Sequence, residues 1–322
     1  MSKGRTLAGR LGAFAASLLV ASLAVFLVVN ALPGDVAGTI LGSNATPQAV
    51  EELREQLGLD RALLVRYVEW LTGMFVGDFG VSAFTREPIG VLIGPRLAVT
   101  CWLVFLGMGL AVAVVLPVGK YAALRRKRLS GQVVSVVSQF GMAVPAFLMG
   151  ITLSLVFAVW LGWLPANGYT PLLSDPLDWA RRLVLPCTSL ALVQSAVLVR
   201  YVRNAFIDVL QEDYFRTARS IGWPLRAAVS RHGTRNAGLQ VVTVLGLQLA
   251  TLFVGAIVIE RVFVIPGLGS LLVDSVAKRD LPIVQGVVML LVTLILVINA
   301  LVDMLYLLID PRLKSDTEGV GE

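Results

Sequence analysis

Apolar residues gather into six long runs separated by polar or charged loops, and the length of each run decides what it builds. A helix rises about 1.5 Å per residue, so roughly 20 apolar residues cross a hydrocarbon core about 30 Å thick. The runs Leu11–Ala31, Ala98–Gly119, Val133–Leu161, Leu183–Val199, Gly238–Ile259 and Leu281–Ile309 therefore predict about six membrane-spanning helices, the fourth being the shortest. The third contains Pro145, which lacks an N–H and predicts a kink. The first run is too long for a signal-peptide core, and Leu32-Pro33-Gly34-Asp35 follows it instead of a small-residue cleavage site, so it reads as a retained span.

The polar segments also carry pattern. Within the long loop from Pro33 to Leu97, Thr46-Pro47 starts a short helix that Gly58 ends, with Glu51, Glu52 and Glu55 early in it. Arg61 to Phe75 then places Leu64, Tyr67, Val68, Leu71 and Phe75 at helical spacing. The expectation is a small helical cap packed on the spans or on a partner.

Charge orients the spans. Lys3, Arg5 and Arg10 precede the first, and Lys120, Arg125, Arg126, Lys127 and Arg128 follow the second without an acid among them. Arg200, Arg203, Arg216, Arg219, Arg226, Arg231 and Arg235 lie between the fourth and fifth, whereas Asp35 to Glu87 holds more acids than bases. Lys and Arg concentrate in cytoplasmic loops, so both termini and the two basic loops are expected in the cytoplasm. Trp70, Trp160, Trp163 and Trp179 then fall on the outer side, where aromatic belts form.

Composition agrees. The 322 residues are 57% hydrophobic and 15% charged, with a mean hydropathy of +0.81. Soluble chains run nearer 45–50% apolar and about 25% charged, so a water-soluble fold is excluded. The net charge of +6 sits between apolar runs, as a membrane protein's does, and nucleic acid is not an expected partner. Cys101 and Cys187 are the only cysteines and His232 the only histidine, which leaves no metal-ligand spacing and no His-based catalytic pair. The chain also lacks the G-x-x-x-x-G-K-[ST] loop that cradles nucleotide phosphates. The expectation is a non-catalytic membrane subunit with no cofactor and no metal of its own.

The loop from Asp208 to Asn236 is polar but patterned as two short helices. One runs from near Val209 to Ser220, with acids in its first turn and arginines toward its end, matching the helix dipole. Gly222 breaks it, and Pro224 opens the next helix where proline is tolerated. Gly222 and Ala218 are the small residues expected to let two such helices approach closely. An ordinary positive-inside loop is the competing reading of the charge.

The run Asp213-Tyr214-x-Arg216-Thr217-Ala218-Arg219-x-x-Gly222, followed by Arg231-His232-x-x-Arg235-Asn236-Ala237, resembles the EAA loop of ABC importer permeases. Leu32-Pro33-Gly34-Asp35, Leu57-Gly58-Leu59-Asp60, Gly77-Asp78-Phe79-Gly80, Val262-Phe263-x-x-Pro266-Gly267-Leu268-Gly269 and Asp310-Pro311-Arg312 narrow the resemblance. In this order they resemble the dipeptide/oligopeptide/nickel permease family, in the subunit with the long first outer loop. One departure is Gly238-Leu239-Gln240, where that family usually has a proline that shapes the start of the fifth span.

The resemblance implies an all-α type I ABC importer permease fold. It divides the chain into 1–97 (first span and outer loop), 98–314 (a five-helix core with its coupling loop at 208–236) and a polar tail, 315–322. It implies that Glu212, Asp213, Arg216, Thr217, Ala218, Arg219, Gly222 and Arg226 dock on a cytoplasmic ATPase. Two ABC ATPases would bind the ATP and Mg. A homologous second permease would complete the pathway, an extracytoplasmic binding protein would deliver di- or oligopeptides, and the site would be the bacterial or archaeal cell membrane. Nickel, metallophore or oligosaccharide cargo belongs to the same architecture, and an ATP-independent channel or carrier is the competing class.

Gln139, Gln194, Gln248 and Asn299 are uncharged polar residues within spans, and they either line the pathway or hydrogen-bond between helices. Pro145 is either a structural kink or a gating element. Asp303 is the one acid well inside a span; without a second acid or histidine it forms no proton relay. Glu260 and Arg261, at the outer end of the fifth span, either pair or meet the binding protein.

Overall fold

The computed structural model describes residues 3–31, 36–42, 45–56, 58 and 60–309, and these are helical almost throughout, with no strand among them. Leu32–Asp35, Leu57, Leu59, Asp310-Pro311-Arg312 and the tail lie outside the described residues, as do the side chains of Arg226, His232, Arg235 and Asp303. The chain divides into two compact units: residues up to Val99 with Pro266–Val297, and Thr100–Ile265 with the chain from Ile298.

In the first unit, α1 (Lys3–Ala31) is followed by α2 (Val36–Leu41), α3 (Pro47–Gln56) and α4 (Leu63–Phe75). The short helix begins at Pro47 as expected, where Thr46 Oγ1 accepts from the Ala49 N–H at 3.3 Å, and Gly58 at φ +64° lies beyond its end. The cap packs on α1 through one edge of its apolar face, at Tyr67. Tyr67 and Trp70 stack with Phe26, and Tyr67 shares a 2.8 Å hydrogen bond with Ser22. Arg66 donates to Asn30 at 3.0 Å, while Leu64, Val68 and Phe75 are exposed. Beyond α4, the turn at Ser82 is held by the buried Asp280, which accepts from Ser82 Oγ at 2.5 Å and from the Ala83 N–H at 3.2 Å. This joins residues about 200 positions apart around α12 (Leu268–Lys278) and the start of α13 (Leu281–Ile309).

The second unit contains most of α5 (Ile89–Leu124), then α6 (Leu129–Ala143), α7 (Ala146–Leu153), α8 (Pro176–Gln211), α9 (Asp213–Ser220), α10 (Leu225–Ala228) and α11 (Thr234–Val262). Five helices are each long and apolar enough to cross a membrane: α1, α5, α8, α11 and α13. The pair α6 and α7, with the π-helical turn Ser154–Trp160, supplies a sixth only as a broken segment bent by 99°. The single kinked third span expected from Val133–Leu161 is therefore corrected to two helices. Val144 is extended (φ −84°, ψ 119°), the conformation favoured before proline, and Pro145 caps α7 instead of interrupting a rod.

The fourth span also differs from its apolar run, because α8 is 36 residues long and is the most buried of the spans. Asp175 caps it by accepting from the N–H groups of Leu177 and Asp178, with Pro176 in the first position. Its inward face (Leu183, Leu190, Leu198, Val202, Phe206) is the core of the unit, against which α6, α7 and α11 pack. Helices approach closely where side chains vanish: a Cβ on Gly119 would sit 2.6 Å from Val202, and one on Gly246 would sit 2.4 Å from Val302. α11 runs unbroken through Gly238 and Gln240, preceded by a π turn at Val229–Gly233.

Candidate functional site

The Asp208–Asn236 segment folds as the end of α8, the separate helix α9, a glycine turn and a short helix that passes through the π turn into α11. The break from α8 falls at Glu212, in extended conformation (φ −65°, ψ 146°), so the first helix begins at Asp213, later than Val209. Asp213 lies in the first turn and Arg219 in the last, as the dipole favours. The Asp213–Arg216 pair is 3.6 Å apart with both groups exposed, so it contributes little to stability. Thr217 donates to the Asp213 carbonyl at 3.0 Å.

Two residues anchor α9. Phe215 and Ala218 point inward and are buried, while Glu212, Asp213, Arg216, Thr217 and Arg219 are exposed. Asn236 at the start of α11 donates to the Tyr214 hydroxyl at 2.7 Å, tying α9 to the following span.

The turn after α9 has a specific closure. The Gly222 N–H bonds the Arg219 carbonyl at 3.1 Å, and the Trp223 N–H reaches back to the Ala218 carbonyl at 3.2 Å. This pair of bonds ends a helix only when the residue between them adopts a left-handed conformation, and Gly222 has φ +93°. Arg219 Nη1 then donates to the Trp223 carbonyl at 2.6 Å, and the Arg231 guanidinium lies 5.6 Å over the Trp223 ring. A Cβ at Gly222 would meet nothing within 4 Å, so close approach is not the reason for glycine here; the backbone angle is. Ala218 does sit in a buried contact. Ile221, next to Gly222 at the tip, is 73% exposed. Arg226 lies in α10, its side chain outside the described residues.

The polar residues within spans separate into groups. Gln194 Nε2 donates to Gln248 Oε1 at 2.7 Å, and Thr251 Oγ1 adds a 3.2 Å bond to the same oxygen, so this pair joins α8 to α11. Gln139 is exposed on α6, Pro145 is exposed at the break, and Asn299 is half-buried on α13. The structure thus brings Gln194 and Gln248 together and leaves Gln139, Pro145 and Asn299 apart from them. Glu260, whose span-end position gave no hint of burial, is fully buried and accepts from Thr100 Oγ1 at 2.6 Å; Arg261 is exposed.

Residues 115–315 match the family described as binding-protein-dependent transport system inner membrane component, and residues 5–90 match the N-terminal component of the same membrane systems. The chain belongs to this permease family. The permease is 40% identical over 299 residues to a putative peptide transport system permease protein of Brucella abortus (strain 2308), covering 93% of this chain and 95% of that one. It is 41% identical over 298 residues to the glutathione transport system permease protein of Salmonella choleraesuis (strain SC-B67), covering 92% and 95%. Its helices and the family together make it a multi-pass membrane protein with the type I importer permease fold. The Gly222 turn and α9 lie inside the matched 115–315 region, as do Gln194 and Gln248.

Proposed function

We propose that this permease forms one half of the translocation pathway of an ATP-driven importer of di- or oligopeptides, and that α9 with the Gly222 turn couples it to a cytoplasmic ATPase. The observation that carries the coupling role is a short helix fixed on one face by Phe215 and Ala218 and exposed on the other. It is closed by a glycine turn with an apolar tip at Ile221. An ordinary positive-inside loop needs none of these. The docking face would comprise Glu212, Asp213, Arg216, Thr217, Arg219 and Arg226 around the tip. Relatives named for peptide and glutathione transport support peptide cargo over nickel, metallophore or sugar.

In this reading the basic loops and both termini face the cytoplasm of a bacterial or archaeal cell. Two ABC ATPase subunits bind ATP and Mg, a second homologous permease supplies the other half of the pathway, and an extracytoplasmic binding protein delivers the peptide. Closure of the ATPases moves the tip, and α9 passes the movement to α8 through its buried face and to α11 through the Tyr214–Asn236 bond. The test is to purify the tagged chain from its host in mild detergent, identify the chains that accompany it, and measure peptide uptake in liposomes with and without ATP. Co-purification of a second permease and ATPase chains with ATP-dependent uptake fits the proposal. Uptake by the chain alone without ATP makes it a channel or carrier and removes the coupling role.

A further inference from the structure

A cavity of about 230 Å³ lies between α6 and α8, away from the coupling tip. Ser135, Ser138, Gln139 and Met142 line it from one face of α6, spaced three and four apart, and Val199, Arg200, Arg203 and Asn204 line it from α8. The volume is several times the roughly 30 Å³ share of a water molecule. Two guanidinium groups border the cavity and no carboxylate does.

The donors in this cavity are only partly used. Arg203 Nη1 reaches Asn204 Oδ1 at a long 3.4 Å, while its Nε is buried with no acceptor among the described residues. A buried guanidinium N–H without an acceptor is costly, and such a group calls for an explanation such as an ion the cavity normally holds. Arg200 lies over the Tyr201 ring at 5.3 Å, a contact that leaves its forked N–H edge available. Ser135 and Ser138 spend their protons on the carbonyls of Gly131 and Val134, so the amides of Gln139 and Asn204 and the two arginines are the donors left for a ligand.

The surroundings indicate where that ligand comes from. Val133, Val136, Val137 and Phe140 on α6 are exposed, 73% in the case of Phe140, beside the polar end of a membrane-spanning helix. Basic pockets between spans that adjoin an apolar helix face are suited to lipid headgroups, with acyl chains along the apolar face. We propose that this cavity binds a phosphate group through Arg200, Arg203, Gln139 and Asn204, supplied by an anionic phospholipid of the leaflet on the α9 side. The inference stands on the membrane-spanning fold and not on the coupling role, so either survives the failure of the other.

The test uses the full-length chain in mild detergent, with bound lipid read by native mass spectrometry after addition of phosphatidylglycerol, phosphatidylcholine or inorganic phosphate. Phosphatidylglycerol should be retained at least tenfold over phosphatidylcholine. The double change Arg200→Gln/Arg203→Gln should abolish that preference, whereas Lys127→Gln/Arg128→Gln, in the exposed loop, should leave it. Met142→Trp, which narrows the cavity without altering charge, should also weaken it and covers the case in which the arginine variant fails to fold. Displacement of phosphatidylglycerol by millimolar inorganic phosphate would support the phosphate site and assign it to a soluble anion. A preference that survives both the arginine change and Met142→Trp overturns the proposal, as does a chain that retains neither phosphatidylglycerol nor phosphate.

Discussion

Substituting Gly222 separates backbone conformation from contact, because the structure gives the two different predictions. A Cβ at this position enters open space, so a steric account predicts that alanine, asparagine and valine all behave like glycine. The φ of +93° predicts otherwise. Holding an ordinary residue in a sparsely populated left-handed region costs about 1–3 kcal/mol. A β-branched residue is worst placed there and asparagine best. That cost falls on the two bonds that close the turn, from the Gly222 N–H to Arg219 and from the Trp223 N–H to Ala218. It shifts the balance between the closed tip and its opened alternatives by a factor of about 5–150. The globular packing of α9 through Phe215 is untouched, so the protein should still insert. Gly222→Val should therefore reach the membrane at normal levels and lose most ATP-dependent peptide uptake, with Gly222→Ala intermediate and Gly222→Asn nearest to glycine. Equal uptake by the Val and Asn variants, or normal uptake by Val, would refute the reasoning, because within this chain a Cβ at position 222 meets nothing and the backbone angle separates the variants.

Gly246→Ala places a Cβ about 2.4 Å from Val302 and should destabilise the α11–α13 contact by about 1–3 kcal/mol in thermal unfolding, with Val302→Ala restoring most of the loss. Gln194→Leu and Gln248→Leu should each cost about 0.6 kcal/mol, up to about 1.7, and the double variant should be no worse than either single one. Additive losses, or a change in which peptides are taken up, would place these residues on the pathway instead. Asp280→Ala removes the acceptor shared by Ser82 and the Ala83 N–H and should cost about 1.5–3 kcal/mol for each bond lost. Equal melting temperatures for the variant and the parent would show that the turn is held by other contacts. Cysteine at Glu52 should react with an impermeant thiol reagent added outside intact cells, and cysteine at the exposed Lys127 should not; the reverse pattern overturns the orientation.

Much of the membrane architecture was legible because a span announces itself by length and apolarity alone. Where it ends is another matter. The apolar run Leu183–Val199 stops where Arg200 begins, but helix formation does not depend on apolarity, and α8 continues to Gln211. Pro145 was visible as a perturbation, yet a proline in sequence does not reveal whether the helix resumes in line. Here Val144 turned extended and the helices meet at 99°. In the outer cap, periodicity placed a helix and, in Tyr67, one of its contacts with α1, but not Trp70 or Arg66. Tyr67, Trp70 and Arg66 have their partners on α1, Phe26, Ser22 and Asn30, none of which a local window contains. The same holds for Ser82 with Asp280 and for Thr100 with Glu260, acids whose burial depends on residues far away in sequence.

The coupling segment shows how far local chemistry reaches and where it stops. Gly222 and Pro224 are punctuation that any reader of the chain can see, and the dipole placement of Asp213 and Arg219 is equally local. What would let the segment act as the proposed coupling element is its two attachments. Phe215 and Ala218 bury one face of α9, which follows directly on the end of α8 at Glu212, and the Tyr214–Asn236 bond ties it to the start of α11. Those two spans pack along one another and are joined again by Gln194 and Gln248. In the proposed coupling role, a displacement applied at the exposed tip would reach both of these packed spans and would be expressed as a shift of α8 against α11. A floppy positive-inside loop of the same composition would absorb the displacement by rotating its own φ and ψ angles. The hydrogen-bonded closure at Gly222 would restrict that rotation, so in the proposed coupling role the backbone angle at one glycine would matter more than the arginines around it.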